Sequence, residues 1–220
     1  MPETPSRRPS RWPPSDTESR PRPMSDVTDH TETDVRGRIL TTAERLFREI
    51  GYHKTTVADI ARELRMSPAN VYRFFDSKKS INAGVALRLM GEVEQASRKI
   101  ASGKAGAVER LRQLLATVHR MNSDRYLADS KMHDMVAAAM EENWEGCKLH
   151  MDRITDTIAA VIADGVASGE FRVADVSVAA HCTCAAMVRF FHPQLIADCA
   201  DKPDPTLDQM IEFVIAGLSR

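Results

Sequence analysis

Residues 55–78 read TTVADIARELRMSPANVYRFFDSK, and this stretch decides the fold of the chain. The apolar residues in its first half recur with the spacing i, i+3, i+4 and i+7, which predicts a short amphipathic helix. Thr56 is a suitable N-cap for that helix, and Asp59, three residues later, completes a capping box. Ser67 followed by Pro68 predicts a second helix start, because serine caps well and proline is tolerated at the first helical position. Two short helices joined by a tight turn indicate a helix-turn-helix, which lays its second helix in the DNA major groove.

The second of these helices should have a buried side and an outward side. Val71 and Phe75 lie four positions apart, so both are predicted to face the core. Asn70 and Arg73 then point outward, where an asparagine amide suits adenine and a guanidinium suits guanine or a phosphate. The small side chains at the helix entrance allow close approach to a base edge.

At these residues the chain resembles the DNA-binding domain of the tetracycline-repressor (TetR) family of bacterial regulators. The matching residues are Thr55-Thr56-Val57, Ile60-Ala61, Met66-Ser67, Val71-Tyr72-Arg73-Phe74-Phe75 and Ser77-Lys78, preceded by Ile39, Ala43, Leu46, Phe47 and Gly51-Tyr52. One departure is Arg65, where the family usually has glycine in the turn. A left-handed backbone at that position would strain a residue with a side chain.

The resemblance implies an all-α protein with two domains. A three-helix helix-turn-helix DNA-binding domain would occupy residues 34–80, and a larger helical ligand-sensing and dimerisation domain residues 81–220. Tyr72 and Lys78 resemble family positions that hold phosphates, and Thr56 should do the same at its helix N-terminus. Tyr72 also fits a half-buried aromatic with a solvated hydroxyl. The residues predicted to bind DNA are Thr56, Ser67, Pro68, Ala69, Asn70, Tyr72, Arg73 and Lys78.

Charge is unevenly spread along the chain, although the net value is only −1. Residues 34–80 carry ten Lys or Arg against six Asp or Glu, a balance of +4, whereas residues 101–220 carry twelve against seventeen, a balance of −5. A basic segment alone is most simply a solvated surface. Joined to a helix-turn-helix, it supports contact with phosphates.

Residues 1–33 differ in composition from the rest of the chain. Seven of the eleven prolines lie in the first 23 residues, mixed with five arginines, and such a segment cannot bury a core. We therefore expect a disordered tail. It could be passive, it could reach the DNA minor groove as an arm, or Met24 could be the true start.

The remaining sequence predicts helices throughout. The predicted helices span about residues 77–99, 108–119, 123–142, 144–169, 175–191 and 206–219. There is no apolar run of 18 residues, which argues against a membrane span. Without the apolar run of a secretion signal, and with four cysteines suited to a reducing compartment, the chain is expected in the cytoplasm.

The segment 176–188, VSVAAHCTCAAMV, contains no charged residue. A helix without a charged face is buried on more than one side. The alternatives are a central helix of a monomer and a helix that packs against a second subunit. The resemblance supports the second, a homodimer through the last two helices, about 175–191 and 206–219, which would present two heads to a near-palindromic operator.

The resemblance also implies a small-molecule effector bound in the second domain. Methionine adapts to irregular apolar guests, and on that basis Met132, Met135, Trp144 and Met151 are predicted to line a ligand cavity. The same residues at helical spacing would equally be plain core. The sequence does not identify the ligand.

Other classes of function find little support. Cys147 and His150 lie on one helix face, but there is no CxxC or HxxxH pair, so a metal-responsive or redox-responsive regulator is an alternative of low weight. No phosphate loop, nucleophile elbow or metal-binding helix motif indicates an enzyme, and no cofactor is predicted. A helix-turn-helix protein without an effector is a further alternative. We interpret the chain as a dimeric transcriptional regulator, with repression and release by a largely apolar ligand implied only by the resemblance.

Overall fold

The computed structural model describes residues 26–126, 130–202 and 205–219, and every regular element in these ranges is an α-helix. This confirms the all-α fold. The helices are α1 (Asp26–Ile50), α2 (Val57–Glu63), α3 (Pro68–Tyr72), α4 (Lys78–Ala101), α5 (Ala107–Tyr126), α6 (Ser130–Glu142), α7 (Trp144–Ser168), α8 (Val176–Phe191), α9 (Pro193–Asp198) and α10 (Leu207–Leu218).

The predicted caps of the helix-turn-helix are present. The Thr56 hydroxyl accepts a hydrogen bond from the Asp59 amide at 3.2 Å, and the Asp59 carboxylate accepts one from the Thr56 amide at 3.0 Å. Ser67 accepts a bond from the amide of Asn70 at 3.3 Å and so begins α3, with Pro68 at its first position. These bonds fix where each short helix starts.

Arg65 has a positive φ of 56°, so the left-handed backbone is kept at the position where the family usually has glycine. The amide of Met66 donates to the carbonyl of Ala61 at 2.9 Å, and the amide of Arg65 donates to the carbonyl of Arg62 at 3.1 Å. This pair of bonds is a Schellman motif, in which the residue after the C-cap is left-handed and is usually glycine. Here an arginine adopts the strained backbone, and it is the only residue other than glycine that does so in the described ranges.

The core of the N-terminal head extends beyond α1–α3. Its buried side chains from the head itself include Ile39, Phe47, Ile60, Val71 and Phe75. Helices α4 and α6 supply the rest, with Ile81, Val85, Leu89, Met132 and Met135 in the same cluster. The head therefore packs directly on the body, because α1 and the two short helices α2 and α3 bury too little apolar surface to close a core alone.

The body core is formed by α5, α7, α8 and α10. Helix α5 begins after Gly106, which has no side chain to cap it. Glu170, in the loop after α7, takes this role by accepting bonds from the amides of Ala107 at 2.9 Å and Val108 at 3.1 Å. These bonds hold the pKa of Glu170 below its usual value.

Two of the sequence-based boundaries were wrong. Helix α1 begins at Asp26, so the expected disordered tail does not extend to residue 33; the proline-rich stretch ends at Pro23 and nothing after it interrupts a helix. Residues 123–126 belong to α5 rather than to the next helix. The predicted end of a helix at Phe191, before Pro193, is confirmed, and Pro193 is itself the first residue of α9, where its missing N–H costs nothing.

Residues 1–25 lie outside the described residues, and with them the proposed DNA-contacting arm and the alternative start at Met24. In the ranges that are described, no helix is both long enough and apolar enough to span a bilayer.

Candidate nucleic-acid interface and ligand cavity

Helix α3 turns one side to solvent and one to the core, as predicted. Val71 and Phe75 are buried, whereas Tyr72 is half exposed and Arg73 is exposed. The helix entrance is open as well, with Ser67, Pro68 and Ala69 all exposed and Asn70 partly so.

The outward side chains of α3 have unused hydrogen-bonding groups. The side chains of Asn70, Tyr72 and Arg73 make no hydrogen bond or ion pair to any described residue. Since these groups are solvated in the free protein, they are available to base edges and phosphates without breaking an internal contact.

Arg36, on α1, supports the end of this helix and was missed by the sequence analysis. Its guanidinium donates to the carbonyl of Phe74 at 2.9 Å and lies 4.2 Å from the ring centroid of Phe75. The contact joins positions 38 residues apart, so no local pattern could indicate it. It fixes the segment that follows α3.

Thr56 and Lys78 are less available to DNA than predicted. The Thr56 hydroxyl donates to the Asp59 carboxylate at 2.6 Å while it caps α2. The Lys78 ammonium donates to the carbonyls of Tyr52 (3.0 Å), His53 (3.3 Å) and Thr55 (3.1 Å). It also lies 4.5 Å from the Tyr52 ring centroid. All three of its donors are engaged, so Lys78 ties α4 to the loop after α1, and a phosphate contact through its ammonium, which stays a prediction, would have to replace one of these bonds.

The body contains a cavity of about 300 Å³ between α4, α5, α6, α7 and the junction of α8 with α9. Of the four predicted lining residues, Met135, Trp144 and Met151 line it. Met132 does not line it, because its side chain is fully buried in the core of the head. Helix α6 lies between the head core and the cavity, so Met132 packs only in the head core, whereas Met135 packs there and also lines the cavity.

The cavity wall is mostly apolar; besides the indole of Trp144 and the thiol of Cys147, five of its residues carry polar groups. They are Asn122, Arg125, Lys148, His150 and His192. Asn122 donates to the carbonyl of Phe191 at 2.8 Å, and Arg125 donates to that of Leu89 at 2.8 Å. Arg125 is also paired with Glu92, so the donors of these two residues serve the protein itself.

A buried ionic cluster borders the cavity. Glu94 of α4 is almost fully buried, and its carboxylate lies 2.9 Å from Nδ1 of His150 and 3.2 Å from a guanidinium nitrogen of Arg153, both on α7. Arg98 approaches the same carboxylate at 3.5 Å. Burial lowers the pKa of His150, and the neighbouring Glu94 opposes this only in part. His150 is therefore a neutral imidazole near neutral pH.

The cysteines do not form an evident redox or metal centre. Burial raises the pKa of Cys147, which lines the cavity, and of Cys184, so both remain thiols. In the described part of the chain, no group of three or more His, Cys, Asp or Glu side chains is arranged to hold a metal ion.

The last two long helices expose apolar side chains. Val178 and Val188 of α8 are about half exposed, and Phe213 of α10 is 72% exposed. His181, Cys182 and Ala185 are also exposed on α8 and add no charge. An uncharged strip that exposes large apolar side chains is typical of a protein interface.

Two family models match this chain. The model of "Bacterial regulatory proteins, tetR family" matches residues 39–83, and that of "Tetracyclin repressor-like, C-terminal domain" matches residues 107–211. The first match contains α2 and α3, and the second contains α5 to α9, which line the cavity together with α4.

Curated relatives are similar over a shorter length. The transcriptional regulator HbdR of Aromatoleum sp. (strain CIB) is 34% identical over 76 residues, which are 34% of this chain and 33% of HbdR. The biofilm operon icaADBC negative transcriptional regulator IcaR of Staphylococcus aureus (strain Newman) is 45% identical over 47 residues, 21% of this chain and 25% of IcaR. The matches thus span about a third or less of these relatives.

Solved structures are similar over most of the chain. A TetR/AcrR-family regulator from Thermobifida fusca has a TM-score of 0.60 and 24% identity, covering 85% of this chain and all of that one. A transcriptional regulator from Saccharomonospora viridis in complex with choline has a TM-score of 0.57 and 26% identity, covering 83% of this chain and 94% of that one. These likenesses concern the fold.

Proposed function

The chain belongs to the TetR family of DNA-binding transcriptional regulators, and we propose that it acts as a homodimer whose two heads bind a near-palindromic operator. Release by a small, largely apolar ligand completes the proposal. The observation that carries it is the exposed helix α3, which Ser67 caps. Among the described residues, the side chains of Asn70, Tyr72 and Arg73 have no hydrogen bond or ion pair that DNA binding would have to break.

Recognition is divided among these residues. Asn70 reads a base edge, Tyr72 holds a phosphate, and Arg73 contacts guanine or a phosphate. The small residues Ser67, Pro68 and Ala69 let the helix entrance approach the groove floor. Thr56 contributes through the free amides at the start of α2 rather than through its occupied hydroxyl.

Dimerisation uses the uncharged strip on α8 together with α10. Val178 and Phe213 would become buried when two copies pair these helices about a two-fold axis. The same axis relates two copies of α3, which is why a near-palindromic operator is expected.

The position of the cavity supports release of the DNA by a bound ligand. Its wall includes residues of α4, which leads directly from the head, and of α6, which packs against the head core. A ligand shifts the spacing of the two heads only if it binds one spacing more tightly than the other. Repression as the default state is the direction we propose, and the relative IcaR is named as a negative regulator.

The proposal is tested with the full chain and DNA from upstream of its own gene. Titration at fixed salt should give operator binding at least about a thousandfold tighter than binding to a random duplex. Sedimentation should give a dimer that Phe213→Glu dissociates, with loss of operator binding, because the substitution places charge in an apolar interface. Leu87→Glu, at an exposed leucine of α4, is the matched control and should stay dimeric. A monomeric wild type, or equal affinity for both duplexes, would refute the proposal.

A further inference from the structure

The contact between Glu94 and His150 determines which nitrogen of His150 can accept a hydrogen bond in the cavity. The Glu94 carboxylate can only accept hydrogen bonds, and its oxygen lies 2.9 Å from Nδ1 of His150. Nδ1 must therefore carry the proton and donate it to Glu94. Because the ring is neutral, the second nitrogen, Nε2, has a free lone pair.

Nε2 of His150 has no protein partner among the described residues. The side chain is 15% exposed and lines the cavity, so this nitrogen is not sealed inside the protein. The Glu94 carboxylate also binds Arg153 and Arg98, which hold it in place. The cluster thus fixes the tautomer of His150, as an acidic partner does for many functional histidines.

Most other polar groups on the described part of the wall are engaged or lie at its edge. The donors of Asn122 and Arg125 are directed at main-chain carbonyls, as described above, and Lys148 is exposed. The exception is His192, whose Nδ1 is buried without a partner and whose pKa is lowered by burial. The described inner wall therefore offers two neutral imidazoles among mostly apolar side chains, and the tautomer of His150 is fixed by Glu94.

We infer that the cavity binds an uncharged one- or two-ring compound whose hydroxyl group donates a hydrogen bond to Nε2 of His150. The inference rests on the proposed function and names the ligand class for the same cavity. About 150 Å³ is enough for one benzene ring, so the cavity of about 300 Å³ suits one or two rings and is too small for a long acyl chain.

Charge is disfavoured in either sign. A buried carboxylate would meet the lone pair of His150, and on the described inner wall it would find only neutral groups such as the His192 imidazole, because the one unpaired cation, Lys148, is exposed; its charge would therefore stay uncompensated. A buried ammonium would need a free carboxylate, but both oxygens of Glu94 are already bonded to His150 and the arginines. A neutral hydroxyl donor matches what the wall offers.

Four compounds of nearly equal size test the inference by calorimetry with the full dimeric chain at neutral pH. Naphthol carries a neutral hydroxyl, methylnaphthalene has none, naphthoate is an anion and naphthylmethylamine is a cation. Naphthol should bind about 2- to 12-fold more tightly than methylnaphthalene, the effect of one hydrogen bond. Both should bind more tightly than the charged pair.

Two variants assign the preference to His150. His150→Phe keeps an apolar ring but has no acceptor, so naphthol should lose its advantage over methylnaphthalene. His150→Gln keeps a donor for Glu94 and a carbonyl acceptor for the ligand, so the preference should survive. Thermal melting checks that both variants fold.

The outcomes separate this inference from the proposed function. Tighter binding of naphthoate, an unchanged preference in His150→Phe, or no binding of any of the four compounds would overturn the inference. In each of those cases selective operator binding would still support the regulator. Conversely, naphthol binding through His150 without operator recognition would sustain the cavity assignment and refute the regulator.

Discussion

Helix α3 and the cavity in the body place the side chains proposed to bind DNA and ligand very differently with respect to the core. On α3 the exposed Tyr72 and Arg73 point away from the core that Val71 and Phe75 help to form. In the cavity the fully buried Met135 lines the ligand space and also packs in the core of the head. Binding and stability are thus separable in the head and linked in the cavity.

The largest expected effect compares two methionines on α6. Met135→Ala and Met132→Ala each remove a fully buried side chain and should each lower the free energy of unfolding by about 2–5 kcal/mol. Only Met135→Ala enlarges the cavity, so only that variant should change ligand affinity. Denaturant unfolding and calorimetry measure the two effects.

Met132→Ala is the matched control for this comparison. A similar change of ligand affinity in both variants would mean that the cavity is not confined to the Met135 side of α6. A loss of stability well below 1 kcal/mol in either would contradict the tight packing assigned to these side chains.

The next prediction concerns the outward side of α3. Asn70→Ala should reduce the preference for the operator over random DNA by about 1–3 kcal/mol, or roughly 5- to 150-fold, since one base contact is lost. Tyr72→Ala should weaken binding to both duplexes equally, because a phosphate contact carries no sequence information. Titrations at one salt concentration distinguish them.

Both α3 variants should unfold within about 0.5 kcal/mol of the wild type, as expected for exposed positions. These measurements test whether binding and stability are separable in the head. A large loss of stability in Asn70→Ala or Tyr72→Ala would show that the outward side chains also support the fold. Equal loss of affinity on both duplexes in Asn70→Ala would remove that residue from base reading.

The smallest effect is a gain in the head. Arg65→Gly relieves a left-handed backbone that costs about 1–2 kcal/mol, while the greater freedom of glycine in the unfolded chain returns about 0.5–1 kcal/mol of that. The net gain should be at most about 1.5 kcal/mol, or a rise of roughly 3–6 °C in melting temperature.

Arg65→Ala controls for the loss of charge, because alanine keeps the Cβ atom that causes the strain. It should not raise the melting temperature. If both variants melt at the same temperature, the backbone strain assigned to Arg65 is absent.

Local sequence rules predicted the head better than the cavity, for a physical reason. Caps, turns and the inward spacing of Val71 and Phe75 depend on residues within four positions of each other, and all of them are present. The phosphate role of Lys78 was inferred from a family position, but its side chain is directed by carbonyls 23–26 residues earlier in the chain. No local pattern contains that information.

The cavity shows the same limit in the body. Helical periodicity placed Met132 and Met135 on related faces of one helix, yet it could not show that α6 lies between two different cores. The Glu94–His150 pair joins positions 56 residues apart, so no local pattern could indicate it. The sequence places His150 only on one helix face with Cys147. The helix ends in the body were predicted to within a few residues except at the end of α5 and the start of α6, and the short helix α9 was not predicted.

Met135 packs in the core of the head and also lines the cavity, which has a consequence for how this regulator could acquire new effectors. A substitution there alters the support of the DNA-binding head along with the shape of the cavity, so selection would act on both at once. Trp144 and Met151 border the cavity from α7, lie outside the head core and are substantially exposed. Evolution, or an engineer building a biosensor, should find the shortest route to altered chemical responsiveness at those two positions.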